Sequence, residues 1–292
     1  MKLKYLFVSL GLIITLVFSA IFSFPDRKLH LIFCDVGQGD ATLAVKGSTQ
    51  ILIDGGPSDK VLGCLSNHLP FWDREIEMVV VTHPEYDHLT GLVSVIERYR
   101  VKQLVSNSLV TQTGVFNQFR KEVIEREIPV YSPKAGDKIK IGSLEFLVLF
   151  PKEKLGDEIV WRTQDDPQVL GVSNYTGNFN ETTIVSLLLY GRFKALLTGD
   201  IGEKQERELE TKQTEVLKVA HHGSKYSTSQ DFLEKIKPDL AVISVGASNR
   251  YGHPTSEVLE RLKNLDVKIL RTDIDGEIEI VSDGESWYTK DQ

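Results

Sequence analysis

Val79-Val80-Val81-Thr82-His83-Pro84-Glu85-Tyr86-Asp87-His88 decides how the chain is read: an apolar run stops abruptly, and four side chains able to bind a metal follow within six residues. The β-branched run predicts a buried strand, and the polar residues after it predict a loop at the strand's end. Imidazole and carboxylate together suit zinc, manganese or iron, and His83, Glu85, Asp87 and His88 are spaced too closely to spread over one helix face. A tight loop can turn them inward together. Taken alone, the stretch has a plainer alternative, a polar loop in which Asp87 caps the next helix.

Outward from this loop, the 292 residues, 41% hydrophobic and 26% charged, are enough for one large core and exclude a disordered chain. The net charge of -7 gives no general attraction to nucleic acid, so such a substrate has to be held by a local site. Met1-Lys2-Leu3-Lys4 is basic, and no charged residue occurs from Tyr5 to Phe24, a length able to span a bilayer. Residues 1–24 are therefore expected to form an N-terminal membrane anchor, or a signal segment if cleaved after Ala20, where bulky Phe18 argues against processing. Lys2 and Lys4 precede the run, which places the catalytic body outside the cytoplasm, anchored to the membrane or secreted after cleavage. Cys34 and Cys64 read first as buried small hydrophobes, and a disulfide between them is permitted outside the cytoplasm without being required.

From Leu29 onward, groups of strands and helices alternate. Strands are expected at 31–36, 41–45, 50–53, 77–81, 101–105, 139–141 and 144–150, with helices at 58–69, 89–99 and 114–127. Periodicity is lost over 151–181, which reads as an irregular insertion, and returns with strands at 183–189, 193–197, 216–219, 240–244, 267–270 and 277–281. Helices are expected between them at 203–211, 229–236 and 256–265.

Further blocks follow in order: Asp35-Val36-Gly37-Gln38-Gly39-Asp40-Ala41, Leu52-Ile53-Asp54-Gly55-Gly56, Leu197-Thr198-Gly199-Asp200, Leu217-Lys218-Val219-Ala220-His221-His222-Gly223-Ser224 and Tyr251-Gly252-His253-Pro254. With the opening loop, these resemble the metallo-β-lactamase superfamily, whose loop pattern is His-x-His-x-Asp-His. Within it they resemble the extracytoplasmic hydrolase domain of ComEC-type DNA-uptake proteins, which often carries a carboxylate where Glu85 stands. The resemblance implies an α/β fold, the four-layer αββα metallo-β-lactamase sandwich, over residues 29–292.

It also implies two divalent metal ions, zinc or manganese. Site one would take His83, Glu85 and Asp200, and site two Asp87, His88, Asp200 and His221, with Asp200 bridging so that two cations share one negative group. Asn180 stands in for a third-motif histidine that is absent, and Asp54 resembles the acid that orients a ligating imidazole. Asp87, His222 and His253 are expected to act on the reacting groups. Asp35, Gln38 and Asp40 are expected to line the rim, with a plain turn as the alternative reading of the first of these blocks. Ser224, Lys225 and Arg250 would contact an anionic group, with solvated surface charge as the alternative for the two cations. The implied activity is phosphodiester hydrolysis, as an extracytoplasmic nuclease related to DNA uptake, beside a separate DNA-channel protein. Two other readings are a hydrolase of a small extracellular ester, lactone or lactam, and a metal-poor binding module of a DNA-uptake complex.

Overall fold

The computed structural model describes residues 5, 7–12, 14, 26–155, 175 and 177–290. Along the chain, β1 (Leu29–Phe33), β2 (Thr42–Lys46) and β3 (Thr49–Ile53) form an antiparallel meander. After α1 (Val61–His68) and β4 (Glu75–Ile76) comes β5 (Met78–Val81), parallel to β3. The first half continues through α2 (Tyr86–Arg98), β6 (Arg100–Val101), β7 (Leu104–Ser106), α3 (Gly114–Glu125) and β8 (Val130–Tyr131). The second half runs β9 (Lys138–Ile141), β10 (Leu144–Phe150), β11 (Val185–Tyr190), β12 (Phe193–Leu197), α4 (Glu203–Glu208), β13 (Val216–Lys218), α5 (Gln230–Ile236) and β14 (Leu240–Ile243). It closes with α6 (Ser256–Asn264), β15 (Lys268–Arg271), α7 (Thr272–Asp275), β16 (Ile278–Ser282) and β17 (Trp287–Thr289).

One sheet has the order β17-β16-β1-β2-β3-β5-β7-β8 and the other β15-β14-β13-β12-β11-β10-β9. Alternate residues of each strand serve different layers, as the period of two demands. Met78 and Val80 face the other sheet, packing with Phe146, Leu188 and Leu197, while Val79 and Val81 pack with Leu65, Leu92 and Ile96 of the helices. Leu196, Leu217 and Ala241 face Phe232, Leu233 and Leu262 on the opposite outer side. This is the expected αββα sandwich. A strand covered on both faces needs no polar residue, which is why β5 reads as a continuous apolar run.

Cys34, just after β1, is joined to Cys64 of α1 by a disulfide, the linkage that the sequence permitted without requiring. Both are buried, so their apolar character and their linkage coexist. The strand expected at 101–105 is divided: β6 pairs with β4 in a ribbon of its own, while β7 joins the large sheet. Most of the anchor expected at 1–24 and of the insertion expected at 151–181 lies outside the described residues. Among those described, Tyr5, Phe7, Val8, Leu10, Leu12 and Ile14 are exposed, and no helix is long and apolar enough to cross a membrane.

Candidate metal centre

The centre is built where β3, β5, β12 and β13 end. β5 delivers Thr82 and His83, and α2 starts at Tyr86, so Asp87 and His88 stand in its first turn rather than in the loop. Glu85 is the N-cap residue, without a side-chain capping bond, which removes the capping role considered for Asp87. Asp54, beyond β3, has a φ of 59° and donates its N–H to the Val80 carbonyl at 2.8 Å. The Gly55 N–H donates to the His88 carbonyl at 2.7 Å. A side chain on Gly91 would run into the Gly55 and Ser58 carbonyl oxygens, so glycine there lets α2 close down on the Asp54 turn.

That closeness settles the imidazoles. The Asp54 carboxylate accepts from the Thr82 N–H at 2.9 Å, the Thr82 hydroxyl at 2.7 Å and His88 Nδ1 at 2.8 Å. The Thr82 hydroxyl oxygen accepts in turn from His83 Nδ1 at 3.0 Å. His222 Nδ1 donates to the Ser244 carbonyl at 2.8 Å. Each ring therefore spends its N–H on an outer partner, and the Nε2 atoms of His83, His88 and His222 are buried without a hydrogen-bond partner. Three such lone pairs in one place suit a cation and little else.

Their spacing fits one. His88 Nε2 and His222 Nε2 lie 3.4 and 3.3 Å from Asp200 Oδ2, and His222 Nε2 lies 3.4 Å from Asp87 Oδ2. A tetrahedral ion with bonds of 2.0–2.1 Å has ligand atoms roughly 3.3–3.4 Å apart. The ligand atoms of His83, His88 and Asp200 also lie within 4.8 Å of one another. Around His83 the arrangement is looser: Glu85 Oε2 is 3.9 Å from its Nε2, and the Asn180 amide oxygen is buried without a partner.

Charge balance follows the same map. Burial would lift Asp87, but the neighbouring His222 and His88 rings outweigh that and bring it to about 2. Burial opposes the charged form of His222 as well, yet Asp200 and Asp40 raise it to about 10. His88 is held well above the ordinary imidazole value because Asp200 and Asp54 overcome its burial. Protons on these rings and a divalent cation are alternative ways of balancing the same carboxylates, so cation binding releases protons. His83, pushed far down by burial and by His88, is neutral and ready to ligate.

Two contributors escaped sequence reasoning. Thr82 relays Asp54 to His83. Lys218, only 3% exposed at the end of β13, pairs its Nζ with Asp40, lies 3.5 Å from Asp200 Oδ1 and donates to the Gly199 carbonyl at 3.0 Å. The signal for it was present: a lysine in a strand buried on both faces demands a charged partner.

Several expectations change. His222, rather than His221, is turned in among His88, Asp87 and Asp200. Both residues have positive φ, 50° and 54°, and this turn aims His222 inward while leaving His221 half-exposed, 4.0 Å from Asp200 Oδ2. Asp40 is no rim residue, because it is buried and committed to Lys218. Asp35 Oδ1 accepts from the Gly37 N–H at 3.2 Å, the plain-turn alternative. Lys225 lies over the Tyr226 ring at 5.2 Å, and Ser224 is buried with its oxygen facing the Tyr226 N–H. Gln38 and Arg250 do line a groove of about 880 Å³ that also includes Glu85 and Asp87. Asn180 contacts His221, with Nδ2 and Nε2 3.5 Å apart. His253 meets the His221 ring edge-on at 5.8 Å, and burial followed by the two neighbouring histidines pushes it down to about 4.

Residues 34–247 match the family model of the metallo-beta-lactamase superfamily. ComE operon protein 3 of Bacillus subtilis is 27% identical over 95% of this chain and 36% of its own length. Competence protein ComA of Neisseria gonorrhoeae is 37% identical over 87% of this chain and 32% of its own. This chain thus spans about a third of the length of these relatives. Among solved structures, the metallo-beta-lactamase fold protein YhfI of Bacillus subtilis superposes with a TM-score of 0.53 at 9% identity, covering 86% of this chain and 99% of that one. Igni18, a metallo hydrolase from Ignicoccus hospitalis, gives 0.51 at 10%, covering 90% of this chain and 99% of that one. The matched residues contain the sandwich's ligand loop, the Asp54 turn, Asp200 and His222, and the chain belongs to the metallo-β-lactamase superfamily.

Proposed function

We propose that this protein is a metal-dependent hydrolase of phosphodiester bonds, a nuclease acting outside the cytoplasm in connection with DNA uptake. The observation that carries the hydrolase reading is the convergence of the unpartnered Nε2 atoms of His88 and His222 on Asp87 and Asp200 at tetrahedral spacing, with the unpartnered Nε2 of His83 beside them. Asp87, His88, Asp200 and His222 would hold one divalent ion, zinc or manganese, and His83, Glu85 and Asp200 a second in the looser position. The chemistry such ions would supply is polarisation of a phosphoryl oxygen and a water whose pKa is lowered toward ~7, a nucleophile at neutral pH.

The remaining roles belong to the chain itself. Asp54 and Thr82 hold His88 and His83 in the ligating tautomer, and Ser244 does so for His222. Lys218 holds Asp200 Oδ1, which turns Oδ2 toward the imidazoles. His221 and Asn180 stand beside the looser position, where they can donate to a non-bridging oxygen, and neutral His253 can take up a proton at the edge. Arg250 supplies positive charge along the groove.

Support for the phosphodiester comes from relatives that carry competence names, and support for the location from the Cys34–Cys64 disulfide, which persists in oxidising compartments. The exposed apolar residues between Tyr5 and Ile14 support membrane attachment through the N-terminal run. A separate DNA-channel protein is the proposed partner. The test is a panel of single-stranded DNA, a cyclic dinucleotide and an acyl lactone, each assayed with zinc or manganese. DNA hydrolysis that is lost in Asp200→Asn is the expected result, and turnover of the lactone alone would move the assignment to small-ester hydrolysis.

A further inference from the structure

The groove beside the centre carries more than a route to it. Tyr86 and Tyr251 line it at 62% and 69% exposure, together with Phe179 and Arg250. Tyr86 stands between Glu85 and Asp87 at the start of α2, so its ring is carried on the same rigid turn as the ligands. Tyr251 is fixed from the other wall: its ring stacks on His253 at 5.8 Å and 28°, and His253 meets His221. The loop holding Tyr251 is pinned by Asn249, whose Nδ2 donates to the Gly246 and His253 carbonyls and whose Oδ1 accepts from the Tyr251 and His253 N–H groups. Arg250 makes no ion pair with any described residue. In the recess around β6, Arg100, Lys102 and Arg126 are already paired with Glu75, Glu77 and Glu122.

Exposed, preorganised aromatic rings beside an arginine that has no ion pair among the described residues, on a chain of net charge -7, suit a ligand that brings its own flat apolar faces as well as phosphate. We infer that this groove is a subsite for single-stranded nucleic acid, with unpaired bases stacking on Tyr86 and Tyr251 and a backbone phosphate on Arg250. Every base has such a face, so binding is indifferent to sequence, whereas in a duplex those faces are stacked on one another and denied to the protein. The inference deepens the hydrolase reading by choosing single strands as substrate, and it rests on that reading only for the reaction.

The test uses the full chain with zinc and a fluorescent phosphorothioate oligothymidylate, which binds but resists cleavage. Tyr86→Ala and Tyr251→Ala should each weaken binding about 5- to 150-fold, while Tyr86→Phe and Tyr251→Phe stay near wild type. Tyr288→Ala, on β17, serves as the control and should change nothing. Arg250→Ala should reduce the slope of log affinity against log salt by about 0.7. Turnover of methyl p-nitrophenyl phosphate by the wild type reads the hydrolase reaction separately from nucleic-acid binding. Alanine variants that bind as well as wild type, or a duplex of equal length bound as tightly as the single strand, would overturn the subsite. Absence of methyl p-nitrophenyl phosphate turnover in the wild type counts instead against the hydrolase, whatever the binding shows.

Discussion

Replacing Asp54 by Asn should separate the centre's orientation from its ligands. The substitution keeps size and removes no ligand atom, and an amide oxygen can still accept from the Thr82 N–H as Oδ1 does at 2.9 Å. The amide nitrogen then faces His88 Nδ1 and the Thr82 hydroxyl, which now lie 2.8 and 2.7 Å from Oδ2. A donor in that place makes His88 Nδ1 an acceptor and moves its proton to Nε2, the atom aimed at Asp200. The Thr82 hydroxyl is turned at the same time, and with it the bond from His83 Nδ1. Loss of one outer partner of a ligating imidazole typically costs about 10–100-fold in metal affinity, and this change disturbs two, so a loss near ~100-fold is expected. Competition with a chromophoric chelator measures the zinc affinity directly, with circular dichroism and a thermal melt confirming the fold. Wild-type affinity in a folded Asp54→Asn protein would refute the tautomer argument.

His222→Ala should abolish tight zinc binding while His221→Ala retains it; equal losses measured by the same competition would restore the reverse assignment. Removing the Cys34–Cys64 bridge with a double alanine variant frees a loop of 30 residues, which the chain-entropy relation values at about 3.6 kcal/mol, or roughly 7–14 °C in Tm. A melt shifted by only a degree or two would show that the bridge does not constrain the unfolded chain. His30 is raised above its ordinary 6.5 chiefly by its hydrogen bond to Glu279, against its burial. Its stabilisation is therefore full below pH 6.5 and lost as pH rises through the higher folded value. Glu279, held at about 2, has its own share in full above pH 4.5 and loses it as pH falls toward about 2. The Tm gap between wild type and His30→Ala should consequently be wider near about pH 6 than near about pH 9, and a gap that grows with pH would reverse the sign.

What could be read in the sequence, and what could not, divides along physical lines. The apolar runs of β3, β5, β12 and β14 and the helical periodicity of α2 and α3 are local patterns, and the sandwich follows from them. The ligand types cluster in the chain as well, so His83, Asp87, His88 and Asp200 were visible before any fold was built. His221 against His222 was not, because adjacent residues are separated only by the direction in which a turn points them, and here both take a positive φ. The Cys34–Cys64 bridge, 30 residues long, depended on where α1 lies over β1. Lys218 was hidden most deeply. Its partners Asp40 and Asp200 come from a loop after β1 and from the end of β12, and only the stacked sheets bring them to one ammonium group. A ligand list can be assembled from motifs one at a time. The charge balance of the centre is a property of their meeting: Asp40, Asp54, Asp87 and Asp200 converge in one buried volume, and a lysine already supplies part of the positive charge that any metal ion must complete.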